Sequence, residues 1–174
     1  MPTVYVETYG CQMNVADTEL MLGHLAAHGY TRTPESDASG VCIRALLEEA
    51  RHRVLSYTIL PDDPGGLRAH LEELFGVPGL DAVILNGGTG LAPRDTTYEA
   101  IAGLLEKRLD GFGELFRMLS YQQVGSAAML SRAVAGVARG KIVVSLPGAP
   151  AAVELAMQKL LLPELGHLIH LVRG

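Results

Sequence analysis

The stretch DAVILN, residues 81–86, constrains the fold more than any other part of this 174-residue chain. It is short and nearly all apolar, which is typical of a strand buried on both faces of a parallel sheet. The chain continues directly from it into the glycine-rich stretch GGTG. Because ligands bind at the carboxyl ends of the strands in open α/β sheets, a glycine-rich loop at this place predicts a binding site.

Strand and helix patterns alternate along most of the chain. Strands are predicted at Thr3–Tyr9, Arg53–Leu60, residues 81–86 and Lys141–Leu146. Helices are predicted at Asn14–Gly29, Ser39–His52, Pro64–Gly76, Thr96–Lys107, Gly113–Val124 and Ala151–Leu162, with a short apolar segment after Pro163. The alternation predicts an α/β sandwich with a mostly parallel sheet. One feature is out of order, because the first two predicted helices have no strand between them.

The loop after DAVILN carries the groups that an anion site needs. Gly87, Gly88, Thr89 and Gly90 can turn successive backbone amides towards an anion. Just beyond them, Arg94 offers a cation for phosphate and Asp95 a carboxylate for Mg²⁺. The alternative is a plain strand-to-helix turn followed by a solvated Arg-Asp pair. The loop is neither a Walker A sequence nor G-x-G-x-x-G, so a P-loop ATPase and a nicotinamide enzyme both lose support.

Charge and hydropathy narrow the classes of partner. The formal net charge is −5, with 14 lysines and arginines, which argues against a dedicated nucleic-acid surface. No apolar run approaches the length of a membrane span, and no secretory signal pattern is visible at the start. We therefore expect a cytoplasmic protein without a membrane or nucleic-acid partner.

The two cysteines, Cys11 and Cys42, stand alone in the sequence. Cys11 is predicted to lie on a loop between a strand and a helix, a place where a cysteine often has partners. A cubane iron–sulfur cluster needs more thiolates than this chain has, so we expect no cluster. Cys42 falls on the apolar face of a helical pattern and is predicted to be a small core residue.

Five stretches, taken together, resemble the MoaB/Mog family of molybdenum-cofactor biosynthesis proteins. They are TRTPESDASG, ILPDD, NGGTGLAPRDTTYEA, GFGELFRMLSYQQVGSAAMLSRAVAGV and LPGAP, and they place residues 31–174 in this family as its molybdopterin-binding domain. The resemblance implies a three-layer α/β/α sandwich that binds molybdopterin, a pterin dithiolene with a terminal phosphate. Active members adenylylate that phosphate with ATP and Mg²⁺ and assemble as homotrimers or homohexamers.

The resemblance also implies roles for individual residues. Asp62 and Asp95, in the matched ILPDD and APRD stretches, would act around the metal and the nucleotide. For Asp62 the alternative is an acid that stabilises the start of the following helix. The implied cofactor-binding residues are Gly87, Gly88, Thr89, Gly90, Arg94, Glu114, Ser131, Arg132, Pro147 and Gly148.

The chain departs from the family pattern in two places. After LPG the family commonly has Ser or Asn, whereas this chain has Ala149, which lacks a hydrogen-bonding group. Residues 1–30 resemble instead the start of radical-SAM tRNA methylthiotransferases, in which the cysteine of YGCQMN is one ligand of an iron–sulfur cluster. This predicts a joint near HGYTRTPESDA, with the strand at Thr3–Tyr9 entering the sheet in place of the family's first strand.

Three functions stay open on the sequence. The first is molybdopterin adenylylation with ATP and Mg²⁺. The second is a non-catalytic molybdopterin-binding or scaffold protein, favoured by Ala149 and the altered start. The third is a fragment of an iron–sulfur tRNA methylthiotransferase, which only residues 1–30 favour.

Overall fold

The computed structural model describes residues 3–9, 38–60, 63–93 and 95–174 of the chain. The helix predicted at Asn14–Gly29 lies outside these residues, as do Cys11, Asp62 and Arg94. Each expectation that concerns those positions therefore stays a prediction.

Six strands form one mixed sheet in the order β2-β1-β3-β6-β5-β4. The strands are β1 (Thr3–Tyr9), β2 (Arg53–Leu60), β3 (Ala82–Asn86), β4 (Lys107–Arg108), β5 (Val134–Ala138) and β6 (Lys141–Leu146). The helices are α1 (Ala38–Glu49), α2 (Pro64–Phe75), α3 (Thr97–Ala102), α4 (Asp110–Val124), α5 (Pro150–Ala156) and α6 (Leu162–Arg173). The strand pairs β2–β1, β1–β3 and β3–β6 are parallel, whereas the pairs β6–β5 and β5–β4 are antiparallel.

The strand predicted at Thr3–Tyr9 lies inside the sheet, not at its edge. β1 pairs in parallel with β2 on one side and with β3 on the other. Val4 faces Val54 and Ala82 across these pairings, and its side chain is fully buried. The first strand of the chain is therefore part of the centre of the fold, where each neighbour depends on it for hydrogen bonds.

Helices cover both faces of the sheet, which gives the predicted three-layer sandwich. On one face, α1, α4, α5 and α6 pack against alternate strand residues such as Ile84, Ile142 and Val144. On the other face, α2 and α3 pack against Val83 and Leu85. Every residue of β3 is buried, as its nearly all-apolar sequence predicted, because both faces of this strand contact helices.

Two of the sequence predictions in the middle of the chain are wrong. The helix predicted at Thr96–Lys107 ends at Ala102, with Gly103 as its C-cap, and Lys107–Arg108 forms β4. β5, Val134–Ala138, was not predicted at all. β4 forms because it pairs with β5, and β5 forms because it pairs with β6, both in antiparallel orientation. The first of these pairings is close, because Gly136 has no room for a Cβ beside the carbonyl oxygen of Lys107. Such long-range pairing leaves little signal in a short window of sequence.

The C-terminal segment predicted after Pro163 is helical to its end. A π-helical turn at Met157–Leu161 joins α5 to α6. Pro163 lacks an N–H donor and falls in the first turn of α6, which accounts for the local widening of the helix. Arg173 near the chain end pairs with the buried carboxylate of Asp81 at 2.9 Å from Nε. No helix within the described ranges is long and apolar enough to cross a membrane.

Candidate functional site

The glycine-rich loop follows β3 at the carboxyl edge of the sheet. Gly87 and Gly88 have φ angles of 95° and 61°, a region that residues with a Cβ adopt only at a cost. The amide of Gly87 donates to the carbonyl of Leu146 at 3.0 Å, and the carbonyl of Gly88 accepts from the amide of Thr97 at 3.1 Å. The loop is therefore fixed at both flanks, to the end of β6 and to the start of α3.

The next amides of this loop point away from protein partners. Within the described ranges, no acceptor contacts the amides of Gly88, Thr89 or Gly90. Gly88 and Thr89 are nonetheless buried, and a buried amide without an acceptor is rare in a folded protein. The geometry suits an anion that would supply the missing acceptors, and the anion site of the sequence analysis stays a prediction.

Asp95 lies directly beneath the loop. Its side chain is almost fully buried, and Oδ2 accepts from the amide of Ala92 at 3.1 Å. A Cβ added to Gly90 would lie only 2.5 Å from the same Oδ2, so the carboxylate occupies the space that the missing side chain leaves. Gly90 and Asp95 thus depend on each other for their positions.

Arg132 connects the loop to the rest of the site. Its Nε donates to the carbonyl of Thr89 at 2.9 Å, and its Nη2 donates to the carbonyl of Asp95 at 2.9 Å and to that of Gly90. Its Nη1 forms an ion pair with Glu99. The guanidinium was predicted to bind the cofactor, but in this structure its donors bind the chain itself. It holds three loop carbonyls in place, which keeps the loop amides turned the other way.

A cleft of about 410 Å³ adjoins the loop, with Arg132 in its wall. This volume falls within the range of small-molecule sites, about 300–1,000 Å³. The cleft contains three of the predicted cofactor-binding residues, Glu114, Ser131 and Arg132. It also contains charged and aromatic residues that the sequence analysis did not single out, namely Tyr98, Arg108, Asp110 and Arg117.

Tyr98 links two arginines of this cleft. The guanidinium of Arg132 lies 5.0 Å from the centre of the Tyr98 ring, and Nη2 of Arg108 donates to the Tyr98 hydroxyl at 3.3 Å. This hydrogen bond raises the pKa of Arg108, and the Asp110 carboxylate, 3.4 Å from Nε, acts in the same direction. Sequence spacing gave no sign of this network, because Tyr98, Arg108 and Arg132 come from three separate elements of the fold.

The loop of the LPGAP stretch lies at the same edge of the sheet. Gly148 accepts a hydrogen bond from the buried hydroxyl of Ser39 at 2.6 Å, which joins this loop to the start of α1. Pro147 follows Leu146, whose carbonyl accepts from Gly87. Ala149 is the N-cap of α5 and makes no side-chain cap. The Ser or Asn expected here would therefore cap a helix.

The acidic residue that begins α2 is Asp63. Its carboxylate accepts from the amides of Gly65 at 3.3 Å and Gly66 at 2.8 Å. The helix-start role considered for Asp62 is therefore filled by its neighbour. Asp62 and Arg94 stay predictions, because they lie outside the described residues.

Metal-ligating side chains are not clustered within the described ranges. These residues contain no group of three or more His, Cys, Asp or Glu side chains that could hold a metal ion. Cys42 is half-buried and packs against the core as predicted, and burial together with the nearby Glu154 carboxylate raises the pKa of its thiol. A raised pKa favours the neutral thiol over the thiolate.

The fold and the loop define an α/β sandwich with a glycine-rich loop at the carboxyl edge of its sheet and a cleft beside that loop. A family model described as a probable molybdopterin binding domain matches residues 15–167, and the chain belongs to this family. The match begins within residues 1–30, for which the sequence suggested another origin. No comparison supports a radical-SAM segment there.

Similar proteins are known by sequence and by structure. Molybdenum cofactor biosynthesis protein B of Halalkalibacterium halodurans is 50% identical over 140 residues, which cover 80% of this chain and 82% of that protein. A crystal structure of a molybdenum cofactor biosynthesis protein B superposes with a TM-score of 0.83 at 41% identity and covers 99% of this chain and 96% of the other. The tungsten cofactor synthesizing protein MoaB from Pyrococcus furiosus gives 0.79 at 32% identity, covering 100% and 98%.

Proposed function

We propose that this protein binds molybdopterin in the cleft beside the Gly87–Gly90 loop and adenylylates its terminal phosphate with ATP and Mg²⁺. The observation that carries this proposal is the loop itself, whose buried amides lack acceptors among the residues that the structure describes and lie next to a cleft of about 410 Å³. The relatives named above are proteins of molybdenum or tungsten cofactor synthesis, which supports a pterin phosphate as the anion.

The residues around the loop suit phosphoryl-type chemistry. In the proposed reaction, an oxygen of the molybdopterin phosphate attacks the α-phosphorus of ATP, the bond from that phosphorus to the bridging oxygen breaks, and pyrophosphate leaves. Backbone amides fixed by Arg132 would hold the phosphate oxygens without reorganisation during the reaction. Alignment and neutralisation of charge are the main demands of such transfers.

Asp95 fits a magnesium ion that arrives with the nucleotide. Mg²⁺ keeps several waters and is commonly bound by one or two carboxylates together with substrate phosphates. Asp95 supplies one carboxylate directly beneath the loop, and Asp62 is proposed as a second. The ion would supply neutralisation of the phosphate charges. The chain's part is to hold the carboxylate in place, through the contact with Gly90 and the hydrogen bond from Ala92.

Release of pyrophosphate from ATP tests the catalytic proposal. We expect release that requires both molybdopterin and Mg²⁺, with one adenylylated pterin formed for each pyrophosphate. Binding of molybdopterin without any release would contradict the enzymatic proposal and support the non-catalytic alternative. Ala149 does not by itself favour that alternative, since its place at the N-cap of α5 gives it a structural role.

We further propose that the chain assembles as a homotrimer or homohexamer. Supporting this, α4 exposes Leu115, Met118 and Tyr121 on one face, and the 3₁₀ turn that follows exposes Met129 and Leu130. Exposed apolar side chains grouped in this way on neighbouring elements are typical of an interface. Sedimentation equilibrium of the wild type and of Met118→Glu tests this, and we expect the variant to dissociate. A monomeric wild type would contradict it.

The first thirty residues are proposed to serve the fold and not a metal cluster, in a cytoplasmic protein. Cys11 is predicted to hold no iron, so that Cys11→Ser should leave molybdopterin binding unchanged. Iron and sulfide that co-purify with the wild type and disappear in Cys11→Ser would instead show a cluster, as the methylthiotransferase resemblance of residues 1–30 implies.

A further inference from the structure

Two of the three arginines in the cleft are already bound to other parts of the protein. Arg132 donates to the loop carbonyls and pairs with Glu99. Arg108 donates to the Tyr98 hydroxyl and pairs with Asp110.

Arg117 differs from both of these arginines. It lines the same cleft, yet it has no hydrogen bond or ion pair to any residue that the structure describes. Its guanidinium donors are therefore available to a ligand.

Gly113 makes room for this guanidinium. Gly113 lies one helical turn before Arg117 on α4, and both residues line the cleft. A Cβ added to Gly113 would lie 3.0 Å from Nη1 and 3.3 Å from Nη2 of Arg117, and 3.0 Å from the carbonyl oxygen of Ala133. The guanidinium therefore rests against the helix backbone at a place where a side chain would push it away. The missing Cβ of Gly113 leaves room for Arg117 on the wall of the cleft.

We propose that Arg117 is a second anion-binding position in the cleft, and that it takes a phosphate of a nucleoside polyphosphate chain. The first position is the set of loop amides at Gly88–Gly90. Arg132 connects the two positions, because it donates to the carbonyl of Thr89 in the loop and also lines the cleft that contains Arg117. A planar guanidinium binds phosphate oxygens in pairs, and a polyphosphate supplies the second anion that a monophosphate lacks. This assignment rests on the proposed function, because it places the nucleotide at the same site.

Glu114 makes phosphate binding at this position depend on neutralisation of the phosphate charge. Its carboxylate is exposed in the same cleft, three residues before Arg117, and it makes no ion pair within the described ranges. It repels a polyphosphate whose charge is not neutralised. Pyrophosphate is therefore expected to bind more tightly with Mg²⁺ than without it.

Calorimetric titration of the full-length protein with inorganic pyrophosphate, with and without Mg²⁺, tests this position directly. Arg117→Gln is expected to weaken pyrophosphate binding by about tenfold to a hundredfold, the loss typical of a hydrogen-bonded charged group. Arg117→Lys keeps the charge but lacks the planar fork, so it should recover only part of the affinity. Gly113→Ala should also weaken binding, since it displaces the guanidinium. Inorganic phosphate, which can occupy the loop amides alone, should bind Arg117→Gln nearly as well as the wild type.

Arg44→Gln is the matched control. Arg44 lies on α1 outside the cleft, is half-exposed and pairs loosely with Glu48 at 3.9 Å, so its loss changes the net charge equally. Equal pyrophosphate affinity in wild type and Arg117→Gln, with circular dichroism showing both folded, would overturn the assignment. Equal weakening by Arg44→Gln would overturn it too, because the effect would then be general electrostatics. Dependence of pyrophosphate binding on Arg117 in a protein that binds no molybdopterin would support this position while refuting the proposed function.

Discussion

At the scale of single residues, the site depends on the close contact between the Asp95 carboxylate and Gly90. The carboxylate lies where a Cβ of residue 90 would be, and it accepts from the amide of Ala92. Burial of a carboxylate is costly unless hydrogen bonds compensate, and at Asp95, which is 7% exposed, the amide of Ala92 supplies such a bond. The same contact requires glycine at position 90, because a Cβ there would collide with the Asp95 carboxylate, whatever flexibility the loop needs.

Gly90→Ala should damage the site while the fold survives. The new methyl group would meet Oδ2 of Asp95 at 2.5 Å, so the carboxylate has to move. We expect about 1–3 kcal/mol of destabilisation, as for other overpacked sites, and a large loss of adenylyl transfer. The control is Gly111→Ala in the exposed first turn of α4, where a Cβ meets nothing within 4 Å. Chemical denaturation and pyrophosphate release measure both effects, and equal behaviour of the two variants would refute the contact.

Asp95→Asn tests the carboxylate without changing its shape. If Asp95 helps to hold Mg²⁺ in the transition state, adenylyl transfer should fall by about two to three orders of magnitude. Molybdopterin binding should survive, because the loop amides are unchanged. Rates at saturating ATP and equilibrium binding of molybdopterin separate these effects. Full activity in Asp95→Asn would remove this residue from the mechanism.

The sequence predicted the loop but not the set of side chains around it. Gly87–Gly90 and Asp95 are contiguous, and a buried strand precedes them, so local pattern was sufficient. Arg117 and Arg108 became recognisable only in three dimensions, because one lies on α4 and the other on a two-residue strand that long-range pairing creates. Ligand contact by Arg132 stays a prediction, and the structure adds that its donors bind loop carbonyls.

At the scale of elements, the departure at Ala149 concerns the start of a helix. Ala149 has extended backbone angles, φ −70° and ψ 127°, and no side-chain cap on α5. A hydroxyl or amide at this position normally accepts from a free amide of the first turn. The cost of Ala149 is therefore expected in stability and not in ligand affinity.

Ala149→Ser should stabilise the protein by about 0.5–2 kcal/mol, the usual value of a restored N-cap. The midpoint of thermal unfolding should rise accordingly, with molybdopterin affinity nearly unchanged. Ala151→Ser, also exposed but within the helix, is the control and should not stabilise. A large gain in affinity from Ala149→Ser, without a gain in stability, would show that residue 149 contacts the ligand instead.

A chain that begins at Thr31 should fail to fold. It lacks β1, and the strands on both sides of β1, β2 and β3, would lose their hydrogen-bond partners in the middle of the sheet. The loss of Val4 would also leave a cavity, because its side chain is fully buried. We expect loss of the cooperative unfolding transition, measured by circular dichroism. A stable, ligand-binding protein from Thr31 onwards would mean that residues 3–9 are dispensable.

Elements with strong local patterns were predicted well, and elements that depend on long-range pairing were not. β2, β3 and β6 carry continuous apolar or β-branched runs, and α2 has both a capping acid and a terminal glycine. β5 has the sequence VAGVA, which is rich in small residues, and it forms a strand because it pairs with β6. The long helix expected across Thr96–Lys107 ends at Ala102 instead, and its last residue, Lys107, belongs to the edge strand β4, which long-range pairing creates.

At the scale of the whole molecule, the described parts of the proposed site lie at one edge of the sheet or in the cleft beside it. The loops after β3 and β6 meet through Gly87 and Leu146, and Arg132 extends this contact into the cleft. The far end of the molecule is held separately by the pairing of Arg173 with Asp81, which ties α6 to the start of β3. This contact lies away from the cleft, so it leaves the edge of the sheet that carries the proposed site accessible.

Equilibrium binding of molybdopterin to the wild type and to Gly88→Val tests the central claim most directly, namely that the loop amides hold the pterin phosphate. Gly88 has a φ of 61° and lies between the end of β3 and α3, so valine there forces the loop out of its present shape. We predict one molybdopterin per wild-type chain and loss of binding in Gly88→Val, while Gly111→Ala binds normally and all three proteins stay folded. A folded Gly88→Val that binds molybdopterin as tightly as the wild type would contradict this account.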